Sequence, residues 1–240
     1  MTHDLEGDGL FNARGLGGLP AADGRTIRTG ALVRSANLDR LAPAGWRMLR
    51  EHGIRTVVDL RDDDEQADAP DDAVTGVTTL RVPLDGDHRL DPEFWAVHGP
   101  ELSCTPLYYR PFLDRMPQRA AAAVAAVADA VPGGVLVHCV GGRDRTGMVV
   151  TLLLSLVGVD AATIAADHEL SAERTPALAA SYGLPDETPA VRAVLARHGT
   201  SWQAAVITAL DGLDVETLLL DAGLTRPQLA AIQSRLLDLR

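Results

Sequence analysis

A cysteine, two adjacent glycines and three consecutive charged residues separate two apolar runs in residues 135–150, VLVHCVGGRDRTGMVV. The apolar run before Cys139 is typical of a buried strand, and the run after Arg145 is typical of a buried helix. The small residues between them let consecutive backbone N–H groups turn inward, and the N-terminus of the helix adds a positive dipole at the same point. The segment therefore predicts an anion-binding loop at a strand-to-helix turn.

The side chains of this loop also predict a chemistry. Arg145 can donate two parallel hydrogen bonds to phosphate oxygens, and a helix N-terminus beside a cation lowers the pKa of a thiol such as that of Cys139. The thiolate can attack phosphorus to form a phosphocysteine intermediate that water then hydrolyses, and this mechanism needs no metal and no cofactor. The Thr146 hydroxyl can hydrogen-bond the sulfur, and the His138 ring can brace the loop. The residues expected to bind the substrate are Val140, Gly141, Gly142, Arg143, Thr146 and Asp59.

A leaving alkoxide or phenolate needs a proton donor, and several aspartates are candidates. Asp144 lies inside the loop, next to the expected phosphate. Asp85 and Asp87 follow a predicted strand, and Asp59 ends another strand at the same edge of the sheet. Position therefore favours Asp144 and leaves Asp85 and Asp87 open as rivals, while Asp59 can also face the pocket.

Charge and cysteine content limit the kinds of partner and compartment. The formal net charge is −11 over 240 residues, which argues against a nucleic-acid-binding surface because such surfaces neutralise phosphates with basic side chains. The two cysteines, Cys104 and Cys139, favour reduced thiols in a reducing compartment over a disulfide framework. The N-terminus lacks the apolar segment of a secretory signal, and the longest apolar run is too short to span a bilayer. We therefore expect a cytoplasmic protein without a membrane span, and export without a signal stays open.

The order of predicted elements indicates an α/β fold. Strands are predicted at 54–59, 77–84 and 135–139, helices at 42–53, 106–131 and 145–159, and helices throughout the chain beyond Asp160. This alternation predicts a mainly parallel central sheet flanked by helices, with anion sites at the C-terminal ends of the strands. We expect one domain over residues 1–240, with an α/β core at 11–160 and a helical extension or lid at 161–240.

Three other segments carry more specific expectations. Residues 24–38 are predicted as a pair of strands near a sheet edge. The acidic segment 62–72 is predicted as a solvated loop or the start of a helix, and residues 85–104 as a loop with at most one helical turn. Aromatic side chains at these spacings are more typical of a core than of a pocket wall. They are Phe94, Trp95, Tyr108 and Tyr109. We expect Cys104 and His168 to be structural.

Several blocks of the sequence resemble the cysteine-dependent phosphatases. HCVGGRDRTG has their Cys-x5-Arg signature and is similar to the H-C-x-x-G-K-D-R-T-G loop of bacterial tyrosine-protein phosphatases with lipid-phosphatase character. Other blocks are similar to further motifs of that family and cover, with the loop, most of residues 11–171. These blocks are FNARGLGG, GRTIRTGALVRSANLDRL, GIRTVVDLRDDDE and DHELS.

The resemblance implies a cysteine-dependent phosphatase fold with C-terminal helical additions. It implies hydrolysis of phosphotyrosine, in some members also of phosphoserine, phosphothreonine and phosphoinositides. It further implies that Asp144 is the proton donor and that Asp59 lies near the site. Two alternatives stay open: the same chemistry on a small phosphate monoester, such as a phosphoinositide, sugar or nucleotide phosphate, and a phosphate-binding module without turnover.

The chain departs from the family pattern at three positions. Arg143 replaces the lysine of the loop, Gly15 replaces an aspartate of the N-terminal block, and Asp62 stands where a serine is usual. None of these positions is Cys139 or Arg145, so we expect turnover to be retained. The larger Arg143 side chain puts a preference for multiply phosphorylated head groups in doubt.

Overall fold

A mixed sheet organises the fold. The computed structural model describes residues 3–65, 75–86 and 91–238. The strands in these ranges are His3–Asp4 (β1), Arg14–Gly15 (β2), Leu32–Ser35 (β3), Ile54–Asp59 (β4), Thr78–Arg81 (β5) and Gly134–His138 (β6). Their order is β1-β2-β3-β6-β4-β5; β3, β6, β4 and β5 are parallel, and β1 and β2 add antiparallel pairs at one edge. The mainly parallel sheet predicted from the sequence is confirmed.

In the described ranges, one α-helix lies between β3 and β4, three lie between β5 and β6, and six follow β6 in succession. In the described ranges they are Pro43–Glu51 (α1), Pro92–Leu102 (α2), Tyr109–Arg115 (α3), Pro117–Asp129 (α4), Asp144–Leu156 (α5), Ala161–Ser181 (α6), Thr188–Arg197 (α7), Trp202–Leu210 (α8), Val215–Asp221 (α9) and Arg226–Leu236 (α10). Within the described ranges, no helix combines the length and the apolar character that crossing a bilayer requires.

β6 lies between β3 and β4 in the interior of the parallel part of the sheet, and all five of its residues are buried. Val135 and Val137 pack into the cluster that contains α4 and α5, whereas Leu136 packs on the opposite face with Leu49 of α1. Burial on both faces explains why the strand is an unbroken apolar run in the sequence. β6 ends opposite the last residues of β3 and β4, so Cys139 leaves the sheet where three parallel strands end together.

The C-terminal helices extend the core of the sheet. Val206 of α8, Leu219 of α9 and Ile232 of α10 are fully buried in the same cluster as Val135. Just after α10, Leu237 forms an isolated bridge with Ile27. These helices thus cover one face of the sheet through α4 and α5.

Two sequence predictions are wrong in part. The segment 85–104 contains the eleven-residue helix α2, which begins where Asp91 accepts a hydrogen bond from the Phe94 N–H at 3.2 Å; this cap and the proline at the first helical position outweigh the turn-like composition. Residues 24–38 contain one strand, β3, in the interior of the sheet between β2 and β6. Thr26 and Ile27 form only isolated bridges.

The helical segment predicted at 106–131 is divided. A 3₁₀ turn at Pro106–Tyr108 leads into α3, and α4 begins after Met116. Pro117 explains the break because proline cannot continue the hydrogen-bond ladder of a preceding helix. Of the acidic segment 62–72, residues 63–65 form a 3₁₀ turn, and residues 66–72 lie outside the described residues.

Candidate active site

A pocket of about 870 Å³ opens where β3, β4 and β6 end. The loop after β6 lines one part of it with Cys139, Val140, Gly141, Arg143, Asp144 and Arg145. Side chains of α6 and of the segment before α7 line the opposite wall, including Leu178, Tyr182 and Leu184. Cys139 is 3% exposed and unpaired, so the thiol lies at the base of the pocket.

Side-chain amides and a guanidinium hold the carbonyl groups of this loop. Asn37 donates through Nδ2 to the Val140 carbonyl at 3.0 Å, and Asn12 Nδ2 donates to the carbonyls of Gly141 and Gly142 at 3.0 and 3.1 Å. Arg34 Nη2 donates to the same Gly142 carbonyl at 2.9 Å. With its carbonyl oxygens engaged in this way, the loop is left with its N–H groups for an anion.

Gly142 is required by the path of the loop. Its φ is +66°, in the left-handed region, and a Cβ on it would lie 2.1 Å from the Ser35 carbonyl oxygen. A Cβ on the neighbouring Gly141 would meet only the Thr175 methyl group, at 3.9 Å. The second glycine thus fixes the loop against β3, and the first has room for a side chain.

A buried ionic cluster supports the loop from behind. Asp167 of α6 accepts hydrogen bonds from Arg14 Nε and from Arg34 Nη1, both at 2.7 Å. Arg14 also donates to Asn12 Oδ1 at 2.7 Å. The side chains of Arg14, Arg34 and Asp167 are at most 2% exposed. Burial alone would raise the pKa of Asp167, but the two guanidinium groups lower it, so the carboxylate is ionised.

Carboxylates hold the guanidinium group of Arg145. Its Nη1 and Nη2 atoms both donate to Glu65, Nη2 at 2.7 Å, and Nε lies 3.4 Å from Asp85 Oδ2. Despite burial, these partners raise the pKa of Arg145.

Among the described residues, Asp85 Oδ1 is buried without a hydrogen-bond partner. Burial, opposed by Arg145, raises the pKa of Asp85 to about 7. Asp87, its rival as proton donor, lies outside the described residues.

Asp144 and Arg143 form a pair at the first turn of α5. Arg143 Nε lies 3.3 and 3.1 Å from the two carboxylate oxygens of Asp144, and its guanidinium lies 5.4 Å from the centre of the Trp202 ring. Burial raises the pKa of Asp144, although the neighbouring Arg143 charge opposes the shift. A carboxyl group with a raised pKa at the pocket wall suits proton transfer.

The structure places Asp59 and Thr146 away from the pocket surface. Asp59 is 3% exposed and accepts from Arg61 Nη2 at 2.9 Å, so it orients Arg61, which does line the pocket. Thr146 does not form the predicted bond to the sulfur: its hydroxyl is buried inside the first turn of α5 and has no hydrogen-bond partner in the described part of the chain. His138 braces the loop as predicted, with Nδ1 3.1 Å from the Cys139 carbonyl oxygen.

The aromatic residues divide between core and pocket. Phe94, Tyr108 and Tyr109 are core residues, as their spacing predicts, and Trp95 also lines the pocket. Tyr109 donates to the Asp144 carbonyl at 2.7 Å, and its hydroxyl oxygen is 2.6 Å from His168 Nε2. Burial, together with the nearby Arg34 charge, keeps the pKa of His168 well below its usual value, so its role is structural and it is uncharged.

Sequence reasoning on single residues missed most of the groups that hold the loop and its arginine. They are Asn12, Arg14, Arg34, Asn37, Glu65 and Asp167. Each stands in or directly beside a block that resembles the phosphatase family. That resemblance was the available signal, but it does not reveal which blocks touch one another.

Comparisons with known proteins show which family the chain resembles. The sequence profile of the tyrosine phosphatase family matches residues 5–238. A Cupriavidus necator protein named as a tyrosine-protein phosphatase is 34% identical over 224 residues, which are 87% of this chain and 79% of that protein. The triple specificity protein phosphatase PtpB of Mycobacterium tuberculosis is 32% identical over 180 residues, 64% of this chain and 65% of the relative. Among solved structures, P. aeruginosa TpbA is similar with a TM-score of 0.45 and 18% identity, over 92% of this chain and 95% of TpbA.

The chain belongs to the tyrosine phosphatase family. It is a protein-tyrosine phosphatase, a hydrolase that removes phosphate from phosphorylated substrates. The family and the enzyme class predicted from the sequence are confirmed.

Asp167→Asn tests the buried ionic cluster. The change leaves two buried guanidinium groups without a full counter-charge, and breaking a buried pair in this way costs about 3–5 kcal/mol. We expect the free energy of unfolding, measured by urea denaturation, to fall by about that amount. Asp4→Asn is the matched control, because Asp4 pairs with Arg174 at the surface and such pairs contribute little. Equal, small losses in both variants would contradict the supporting role of Asp167.

Gly142→Ala and Gly141→Ala test the path of the loop. Alanine at 142 must adopt a positive φ and displace the Ser35 carbonyl, so we expect a loss of about 1–3 kcal/mol in unfolding free energy and weaker phosphate binding by calorimetry. Alanine at 141 should keep the stability of the unaltered protein. A stable Gly142→Ala protein with full phosphate affinity would show that the loop can follow another path.

Proposed function

We propose that the protein hydrolyses phosphotyrosine, and also phosphoserine and phosphothreonine, on proteins through a phosphocysteine intermediate. The observation that carries this proposal is the position of Cys139, at the base of a pocket between the end of β6 and the start of α5. The loop carbonyls around it are bonded to Asn12, Arg34 and Asn37. The N-terminus of α5 and the Arg145 guanidinium lie beside the sulfur and favour binding of an anion there.

In the first step, the Cys139 sulfur attacks phosphorus, an S–P bond forms and the P–O bond of the ester breaks. Asp144 gives its proton to the leaving oxygen. In the second step, the Asp144 carboxylate takes a proton from a water molecule, which attacks phosphorus and releases inorganic phosphate and the Cys139 thiolate. Arg145 and the N–H groups of Val140, Gly141, Gly142 and Arg143 stabilise the phosphoryl oxygens throughout.

Arg145 must change partners for this reaction. Its two terminal nitrogens donate to Glu65, and a phosphate offers the same pair of acceptor oxygens. We infer that a bound phosphate takes the place of the Glu65 carboxylate. Asp59 and Arg61 then support the neighbouring wall instead of the phosphate itself.

The other functions considered from the sequence have less support. A pocket of about 870 Å³ with Trp95, Leu178 and Leu184 on its wall is larger and more apolar than a sugar or nucleotide monophosphate requires. A phosphate-binding module without turnover would not need a thiol beside the anion.

The chain is proposed to act as one unit. Residues 161–240 include α6 and α7, which border the pocket, and α8 to α10, which complete the core. A reducing, cytoplasmic location is part of this proposal, supported by the two unpaired thiols of Cys104 and Cys139.

Cys139→Ser tests the nucleophile. We expect p-nitrophenyl phosphate hydrolysis to fall to the uncatalysed rate, because a serine hydroxyl is not ionised at neutral pH, while inorganic phosphate still binds in calorimetry. Cys104→Ser makes the same atom exchange at a second cysteine of the pocket lining, which the proposed mechanism does not use, and should retain hydrolysis. Undiminished turnover in Cys139→Ser would overturn the mechanism, and loss in both variants would point to damage of the pocket.

Asp144→Asn and Asp85→Asn separate the two candidate acids. Without the donor, turnover should fall by about 10²–10⁴-fold for phosphoserine peptides, and by less for p-nitrophenyl phosphate because its leaving group needs little protonation. We expect this pattern for Asp144→Asn and not for Asp85→Asn.

The pH profile gives a second readout of the same pair. A general acid works only when protonated, so kcat/KM falls as the pH rises through its pKa. The fall in kcat/KM at high pH should therefore disappear in Asp144→Asn and remain in Asp85→Asn. Loss of a limb near pH 7 in Asp85→Asn would instead assign the role to Asp85, whose pKa is about 7.

A further inference from the structure

The arginines that line the pocket already have carboxylate partners. Among the described residues there are three, Arg61, Arg143 and Arg145. Arg61 Nη1 lies 2.8 Å from Asp39, Arg143 Nε lies 3.1 Å from Asp144, and Arg145 donates to Glu65. The first phosphate can displace Glu65 and use the loop N–H groups as well. A second phosphate would have to displace Asp39 or the proposed acid Asp144, and it would form no hydrogen bonds with the loop N–H groups to offset that loss.

Arg143 is the residue from which a second anion subsite would be expected, and its placement argues against one. The residue is 7% exposed, with its guanidinium between the Asp144 carboxylate and the Trp202 ring. Although Arg143 lines the pocket, its charge is already compensated by these neighbours. The pocket therefore fits one phosphate on an otherwise uncharged group.

The mouth of the pocket carries exposed apolar side chains. Val140, Tyr182 and Leu184 line the pocket and are 38%, 39% and 62% exposed. Tyr182 is fixed, because its hydroxyl donates to Asn37 Oδ1 at 3.1 Å and the Arg40 guanidinium, which is not part of the pocket lining, lies 4.1 Å from its ring centre. An ordered, exposed apolar surface beside a reactive loop is typical of a site that contacts a larger partner.

The charged side chains at the mouth of the pocket are acidic, whereas the loop presents N–H groups and the Arg145 guanidinium. Asp186 and Glu187 line the pocket, are exposed, and form no ion pair with the described residues. Asp39 adds a third, partly exposed carboxylate. Negative potential at a binding surface favours cationic partners and repels anionic ones.

We propose that this pocket selects a single phosphotyrosyl side chain flanked by basic residues and disfavours multiply phosphorylated head groups. The phosphate binds the loop, the aromatic ring and neighbouring apolar side chains contact Tyr182, Leu184 and Val140, and basic side chains face Asp186 and Glu187. This selectivity rests on the proposed function of the loop.

The test compares phosphotyrosine peptides of equal length in which the residues beside phosphotyrosine are arginine or glutamate. We expect kcat/KM to favour the arginine peptide by roughly tenfold at low salt, mainly through KM, and the ratio to shrink at high salt because exposed charges are screened. A soluble inositol bisphosphate should be hydrolysed with lower kcat/KM than either peptide. The proposal would be overturned by equal kcat/KM values for the two peptides, by a higher value for the glutamate peptide, or by a higher value for the bisphosphate than for the peptides. Failure to hydrolyse p-nitrophenyl phosphate in the same assay would instead overturn the proposed function.

Asp186→Asn combined with Glu187→Gln tests the residues assigned to the mouth. Asparagine retains an acceptor for the Thr188 N–H, which Asp186 now binds at 2.8 Å, so the turn before α7 keeps its bond. We expect the ratio between arginine and glutamate peptides to fall roughly fivefold. Glu216→Gln combined with Asp221→Asn removes two charges from α9, whose residues are not among those that line this pocket, and should leave the ratio unchanged. Equal effects of the two double variants would overturn the assignment.

Discussion

The carboxylate of Asp167 lies between Arg14 and Arg34, and the phosphate loop depends on this buried cluster. The two guanidinium groups are almost fully excluded from water, and without the carboxylate their burial would be strongly unfavourable. Once held, Arg34 binds the carbonyl of Gly142, and Arg14 binds the Asn12 side chain, which holds two loop carbonyls itself. Strand β2, strand β3 and helix α6 thus converge on the loop between β6 and α5. The shape of the proposed phosphate site is thus determined by a charge cluster that lies behind the loop.

The elements next to Cys139 could be predicted from the sequence because their causes are local. An apolar run with both faces buried identifies β6, a second run identifies α5, and the glycines identify the turn between them. The pairing of Arg14 with Asp167 spans 153 positions, and no local pattern specifies it. Helix α2 was missed for a related reason: its apolar side chains, such as Phe94 and Trp95, lie among prolines, glycine and charges that favour a loop. The interior position of β3 was missed because a four-residue strand does not reveal its neighbours.

An acidic protein that binds an anion requires a local solution. The net charge of −11 would repel phosphate at long range. At distances shorter than about 10 Å, salt screens charges only partly, so the individual groups near the phosphate determine the local potential. The loop supplies N–H groups and a helix dipole, which add positive potential without adding formal charge. One arginine, Arg145, then completes the site. Formal positive charge near the phosphate is thereby kept low, and the surrounding carboxylates can retain a role in proton transfer and in substrate choice.

The contact between Glu65 and Arg145 affects the end of the catalytic cycle as well as its beginning. Inorganic phosphate left in the loop competes with a carboxylate tethered a short distance away, at a high effective concentration. If phosphate replaces Glu65 on Arg145 as proposed, the carboxylate can return to the two guanidinium nitrogens as the product leaves. Under that proposal Glu65 would compete with product phosphate and weaken product inhibition, at the expense of some affinity for each phosphate that binds.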